Sequence, residues 1–559
     1  MSKLLQIINF LEKKEKKRIF LLIILIIITS IIEAITINAV IPVLSILTGT
    51  MPSLDIKFLN TLLQEQNLET ILTVFSILII LSAIFKLYTL KCSINISFNI
   101  GLLTSKKIIK NIIQTDYENR LKLNDSEVIG TIIVKINDLI RNINNLFNII
   151  TAFFSIILII IILITYNPKI TIVTILLFSL IYIIIFLFSK KIISDNSETI
   201  NNKVNLSSQN IQEILTNFTD IKINNLHKFF EKKFFQNESD LRKTQINSTI
   251  IGVFPKYIIE SIGLLFIALI IYYLNTNGIN SETIPLVGFL ALSAQKILPY
   301  IQQAYTGYVD IKSNGSSFKS IIDYINIKKI NINLINKTNN ANKKISFSQN
   351  ICLNKISYKY SNGKFTKQIS FKIKKGERVG IIGKSGIGKT TLLNMMMGII
   401  RPTSGSILID NQVLDHNNLE SWHRLISYVP QSIHLIEASI YENIAFGIET
   451  NLIDYKKIKD ICTFAQIDHL LNFNNSYSND EKREKYSGGE MQRLAISRAL
   501  YKDADVLFFD EITSSLDKES EKFIIDNIKK IGKDKTIIMI SHNTSNFIDF
   551  DRVINLDLC

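Results

Sequence analysis

Three stretches in the second half of the chain combine residue types that handle phosphate. Ile381 to Leu393 reads IIGKSGIGKTTLL and fits GxxxxGK(S/T) from Gly383 to Thr390, with the strand-like RVGII before it and the helix-like TLLNMMMG after it. Gly383, Gly386 and Gly388 let the backbone turn amide N–H groups inward around an anion. Lys389 reaches for terminal phosphates, and Thr390 offers a hydroxyl ligand for Mg2+. A helix starting there adds the positive end of its dipole. The second stretch, DVLFFDE (Asp505 to Glu511), reads as a buried strand ending in two carboxylates. Asp510 suits a Mg2+ ion, and Glu511 suits orienting or deprotonating an attacking water. The third, KYSGGEMQRLAISRAL (Lys485 to Leu500), places Ser487, Gly488 and Gly489 at a helix start as a second anion cradle. Two phosphate cradles and one carboxylate pair on one chain make sense if two copies meet head to tail, each closing the other's nucleotide.

These stretches need an α/β scaffold, and residues 345–559 supply its pattern of apolar strands alternating with helices. Asn336 to Lys344, NKTNNANKK, packs poorly and reads as a linker. Residues 1–335 have another character. The chain of 559 residues is 47% hydrophobic and only 20% charged, so part of it is not solvated by water. Apolar runs at Ile19 to Leu47, Thr70 to Leu90, Leu146 to Tyr166, Ile170 to Phe188, Ser248 to Leu274 and Ile284 to Tyr300 approach or exceed the ~20 residues that span a bilayer. Six transmembrane helices are expected. The first run is too long for a signal peptide's apolar core and lacks a small-residue cleavage pattern, so it is expected to stay as a helix.

Lysines concentrate in KKEKKR (Lys13 to Arg18) and in residues 91–145 and 189–247, whereas Asn275 to Glu282 has none. The positive-inside rule then puts the N-terminus, both long segments and everything after Tyr300 in the cytoplasm. The long segments keep helical spacing without being apolar all round, so helices two to five are expected to run past the membrane. Each segment breaks once, near Gln114 to Glu127 and near Thr216 to Asn225; the breaks are either solvated hairpin tips or contact surfaces. Leu54 to Gln66 is either an interfacial helix or an ordinary external loop. The net charge of +15 is spread through loops with no compact basic stripe, which speaks against nucleic acid and for an anionic membrane leaflet. Cys92, Cys352, Cys462 and Cys559 are too far apart for a metal motif or disulfide framework.

The motif order resembles the ATP-binding cassette of ABC transporters. Six spans followed by one cassette resemble an ABC exporter half-transporter: a type I exporter-like α-helical membrane domain, then an α/β P-loop cassette. The resemblance implies ATP and Mg2+ as cofactors and a homodimer with two active sites, or a heterodimer with another half-transporter. It assigns Tyr360, in ISYKYSNG, to stacking on adenine, and Ser385 and Thr391 to the ATP-binding loop. Gln431, in SYVPQ, corresponds to the glutamine that touches Mg2+ and faces the membrane domain. Asp517, in SSLD, matches the acidic residue crossing the dimer interface, and His542, in MISHN, the histidine sensing the γ-phosphate. The breaks at Gln114 and Thr216 would be coupling helices. His423 and His434 match no motif and are read as surface residues. Two departures stand out. The signature, usually LSGGQ, is Tyr486-Ser-Gly-Gly-Glu490, and its carboxylate is expected to weaken or slow closure on ATP. The TxVGE stretch is missing from Asn475 to Lys485.

Substrate information lies in Lys86, Lys256 and Lys296, charges within apolar helices that each cost at least ~2.5 kcal/mol to insert. They either snorkel or pair with Glu33 and Glu260, or they line an inward-facing cavity and bind a phosphate or pyrophosphate headgroup. The first span, IIEAITINAVIPVLSIL, and the spacing of these lysines resemble lipid-linked oligosaccharide flippases, which turn polyprenyl-pyrophosphate-linked glycans across the bacterial inner membrane. Alternatives are export of another amphipathic lipid such as lipid A, or of a drug or peptide, although no peptidase domain precedes the first span. A non-transporting, nucleotide-gated membrane regulator is a further alternative of a different class.

Overall fold

The computed structural model describes residues 2–40, 43, 68–166, 168–276, 283–327, 345–360, 366–472, 486–512, 518–532 and 534–558. Leu54 to Gln66, read as an interfacial helix or an external loop, the linker at Asn336 to Lys344, the stretch around Asn475 to Lys485 and Asp517 lie outside them. The chain forms two compact units, Met1–Thr115 with Asn119–Lys328, and Asp116–Glu118 with Lys329–Cys559.

The first unit is helical because a chain in lipid must satisfy its backbone N–H and C=O groups internally. Residues 2–325 form α1 (Ser2–Asn9), α2 (Lys13–Asn38), α3 (Leu68–Ile113), α4 (Tyr117–Leu121), α5 (Asp125–Gly130), α6 (Ile136–Tyr166), α7 (Pro168–Thr216), α8 (Phe218–Ile223), α9 (His227–Thr276), α10 (Thr283–Ser313) and α11 (Ser317–Ile325). Helix α9 alone has 50 residues, a length of ~75 Å at ~1.5 Å per residue, against a hydrocarbon core of ~30 Å. By length and composition, five described helical stretches are able to cross a membrane: Lys13–Asn38, Glu69–Ile113, Asp125–Thr165, Thr171–Thr216 and His227–Leu265. The sixth expected span, Ile284 to Tyr300, falls within helix α10 but is not among these five.

Short polar segments end the long helices. After Thr216, α8 is closed by Asn224 and by Asn225 at φ 54°, a left-handed conformation that asparagine tolerates, and Leu226 N donates to Ile221 O at 2.9 Å. The side chain of Asn124 caps α5 by accepting from Ser126 N. A π-turn, Thr131–Lys135, leads into α6 and buries Lys135, whose Nζ donates to Ser320 Oγ of α11 at 3.0 Å. Asn111, fully buried at the end of α3, donates to the Tyr324 and Ile325 carbonyls and so caps the other end of α11. Leu4, Ile7, Ile108, Leu139, Phe318 and Ile321 close one apolar cluster around this junction.

The second unit is built on two sheets. One is antiparallel, in the order β2-β1-β4-β5, from β1 (Asn350–Ser357), β2 (Ile369–Lys374), β4 (Ser404–Ile409) and β5 (Gln412–Val413). The other is parallel, in the order β6-β7-β8-β3-β9, from β3 (Arg378–Ile382), β6 (Ile426–Val429), β7 (Val506–Asp510), β8 (Thr536–Ile540) and β9 (Arg552–Asn555). Strands β7 and β8 are buried along their whole length, as expected of parallel strands covered on both faces. Helices α12 (Lys389–Met396), α13 (Leu419–Leu425), α14 (Ile440–Ile444), α15 (Tyr455–Ala465), α16 (Gly488–Tyr501) and α17 (Lys518–Lys530) complete the unit. Registers Ile381↔Ile540 and Asp510↔Ile540 bring the C-terminal ends of β3, β8 and β7 level, which is where an α/β sheet presents a ligand site.

Trp422 of α13 is fully buried in the core of this unit and donates from Nε1 to Met396 O at 3.0 Å. Trp422→Ala is expected to cost about 3–5 kcal/mol, seen as a lower unfolding midpoint of the purified chain.

Candidate nucleotide site

The phosphate loop is the turn between β3 and α12. Gly388 caps α12 at φ 105°, and a Cβ there would lie 3.1 Å from Thr366 Cγ2. Both the left-handed backbone and the crowding therefore require glycine. Lys389, 6% exposed, folds back over the loop and donates to Gly383 O at 2.9 Å.

Three side chains from separate parts of the unit meet at Glu511. His542 Nε2 lies 2.8 Å from Glu511 Oε1, Gln431 Nε2 donates to Oε2 at 2.8 Å, and Lys389 Nζ stands 3.7 Å from Oε1. Glu511 itself has φ 48°, and its N–H donates to Ile540 O at 3.1 Å. A non-glycine residue in this region stores strain of order 1–3 kcal/mol, and the neighbouring strand's carbonyl holds it there. The result aims a carboxylate off the end of a rigid sheet.

Asp510, 2% exposed, faces two hydroxyls: Thr390 Oγ1 donates to Oδ1 at 3.5 Å and Tyr428 OH to Oδ2 at 3.4 Å. Burial pushes its carboxyl above the usual range, and the charge of Glu511 adds to this. A divalent cation beside it would favour the ionised form. The donors available, a carboxylate, a hydroxyl and the Gln431 amide, are hard oxygen ligands that fit Mg2+ sharing its shell with phosphates. Among the described residues no cluster of three or more His, Cys, Asp or Glu could hold a metal alone.

Tyr360 sits beside the same loop, its hydroxyl 2.5 Å from Thr391 Oγ1 and its ring edge-on to Tyr358 with centroids 5.2 Å apart. Ser385 is exposed on the loop. Ser487, Gly488 and Gly489 open α16 and make no hydrogen bond to the Glu511 cluster among the described residues. His434 is exposed. His423 is not the surface residue expected from sequence: its Nε2 bonds to Met397 O at 2.9 Å, and burial holds its pKa below the ordinary value. It serves as structural anchorage between α13 and the end of α12.

Two residues escaped the motif reading. Tyr428 reaches Asp510 because β6 and β7 pair in the register Tyr428↔Phe508, a neighbourhood that spacing along the chain does not reveal. His469 bonds to Glu490 of the signature across residues 473–485.

In the first unit, Lys86 forms an ion pair with Glu33, which is 3% exposed and also accepts from Tyr300 OH. Flanking bonds, Thr29 to Thr89 at 2.7 Å and Ser30 to Ser155 at 3.1 Å, make this a polar belt joining α2, α3, α6 and α10. Sequence left pairing and cavity lining open for Lys86; the structure shows pairing. Lys256 and Glu260, one turn apart and both exposed, form no ion pair, and Lys296 is exposed with none among the described residues.

Comparison with known proteins agrees with this geometry. Residues 19–295 match the ABC transporter transmembrane region, and residues 366–514 match the ABC transporter domain. The chain belongs to the ABC transporter family. It carries the membrane region and the cassette on one polypeptide. An ATP-dependent lipid A-core flippase of Francisella tularensis subsp. holarctica (strain OSU18) is 28% identical over 360 residues, 62% of this chain and 57% of that protein. The match thus spans little more than half the length of that relative. The human mitochondrial iron-sulfur clusters transporter ABCB7 is 34% identical over 211 residues, 37% of this chain and 28% of that protein. The structure of a bacterial Atm1-family ABC exporter with ATP bound superposes with a TM-score of 0.74 at 18% identity, covering 97% of this chain and 94% of that one. The fold is therefore that of a type I ABC exporter, and ATP with Mg2+ is the cofactor set of its ABC domain.

Lys389→Ala is expected to weaken Mg-ATP binding about 10- to 100-fold, the loss of a charge-assisted contact of about 1.5–3 kcal/mol. Titration of the purified chain with ATP in the presence of Mg2+ measures it.

Proposed function

We propose that two copies of this chain form an ATP-driven exporter that flips a polyprenyl-pyrophosphate-linked oligosaccharide across the bacterial inner membrane. The observation that supports ATP hydrolysis is the Glu511 carboxylate, held by Gln431 and His542 beside the phosphate loop. Glu511 accepts the proton of the attacking water, His542 turns its Nε2 from that carboxylate to the terminal phosphate when nucleotide binds, and Lys389 offsets phosphate charge. Mg2+, when bound through Asp510 and Thr390, supplies neutralisation of the β- and γ-phosphate oxygens. Ser487, Gly488 and Gly489 close the partner copy's nucleotide, with Asp517 at that interface and Tyr360 against the base.

The substrate reading draws on the exposed cations Lys256 and Lys296 and on the resemblance of the first span to lipid-linked oligosaccharide flippases. Lys86, whose charge Glu33 meets, then contributes a hydrogen-bonding head more than a free cation. A second reading, flipping of a lipid A-like glycolipid, is favoured by the name of the Francisella relative. Both substrates present phosphate on a saccharide lipid.

Proteoliposomes carrying fluorescent polyprenyl-pyrophosphate glycan or fluorescent lipid A test the readings side by side. Glu511→Gln is expected to cut ATP hydrolysis by about 10²- to 10⁴-fold and to stop flipping, and chelation of Mg2+ to do the same. Lys256→Ala/Lys296→Ala is expected to keep ATP hydrolysis and lose flipping. Flipping of lipid A alone would replace the first substrate by the second, and flipping of neither with intact hydrolysis would discard both.

A further inference from the structure

The signature of this chain carries a carboxylate where an amide is usual, and the structure shows how that carboxylate is held. Ser487 is the N-cap of α16, a helix of 14 residues, and forms a closed capping box with Glu490. Ser487 N and Oγ reach Glu490 Oε2 at 2.8 and 2.9 Å, and Glu490 N donates to Ser487 Oγ at 3.2 Å. The hydroxyl assigned to phosphate is thus engaged by the chain's own anion, and that anion offsets the positive end of the α16 dipole. The other carboxylate oxygen, Oε1, lies 3.1 Å from His469 Nε2, on the short turn Asp468–Asn472. The hydrogen bond from His469, followed by those from Ser487, holds the Glu490 carboxyl below its usual range. Glu490 is therefore ionised and acceptor-only, and Nε2 carries the proton.

We infer that His469 is a positioning residue of the nucleotide cycle: by donating to Oε1 it competes with Ser487 for the Glu490 carboxylate, so that the Ser487 N–H and hydroxyl can be released to a phosphate. The inference rests on the reading that Ser487–Gly489 receives a partner copy's nucleotide. Without His469, a phosphate approaching the cradle finds the Ser487 donors still held by the carboxylate at the third position of the helix. Without the Glu490 charge, His469 has nothing to compete for. The two side chains must then act as a unit, and their effects on nucleotide affinity cannot add.

The test is a double-mutant cycle on the full-length chain, reading KM for ATP and kcat for hydrolysis, with equilibrium ATP binding measured in the Glu511→Gln background. Glu490→Gln is expected to lower KM, and His469→Ala to raise it, each by about two- to fivefold, the range of a charge near a helix terminus. In the Glu490→Gln background, His469→Ala should change KM by nothing measurable. His469→Gln, which keeps a donor, should restore most of the wild-type KM and also controls for loss of fold at position 469. Equal effects of His469→Ala in both backgrounds, or a KM unchanged by Glu490→Gln, would overturn the inference while leaving the ATPase assignment intact. A wild-type chain that neither binds nor hydrolyses ATP would overturn that assignment, and this inference with it.

Discussion

One carboxylate organises the second unit. Glu511 stands at the end of a fully buried strand in a backbone conformation that its residue type disfavours, and Gln431, His542 and Lys389 converge on it from three other segments. Each convergence depends on the parallel register that levels β3, β7 and β8. A shift of one residue in any pair would turn Asp510 or Glu511 to the opposite face and separate the metal ligand from the loop that holds phosphate. Sheet packing and site chemistry are therefore one constraint.

The first unit follows a different constraint, that of polar groups with little water available. Glu33 in an apolar helix is tolerated because Lys86 and Tyr300 both meet it, and the hydroxyl pairs on either side continue the pattern. This belt fixes how α2, α3, α6 and α10 pack where apolar contacts alone specify little, since lipid tails compete equally for isoleucine and leucine. Further along, the buried Lys135 and Asn111 anchor α11 in the same way. Polar side chains set among apolar ones carry much of the specificity of this half.

The signature combines both themes. A chain that replaces an amide by a carboxylate at a phosphate cradle takes on a local repulsion, and the capping box with the His469 contact shows how the charge is accommodated. Such a pair also ties the turn Asp468–Asn472 to the start of α16.

Sequence alone determined the elements whose signal is local. Helical apolar runs, the strand-loop-helix order around Gly383 to Thr390, the strand ending at Asp510 and Glu511, and the helix breaks at Thr216 and near Gln114 all follow from residue types within a few positions. Backbone sterics and hydrogen bonding act over that range. Only the tertiary structure decided which distant side chains meet. It paired Lys86 with Glu33 instead of leaving both readings open, took His423 from the surface into a backbone contact, and brought Tyr428 to Asp510 and His469 to Glu490. Those meetings depend on strand register and helix packing, where the partner can be any residue of matching chemistry far along the chain, so spacing in the sequence does not settle them.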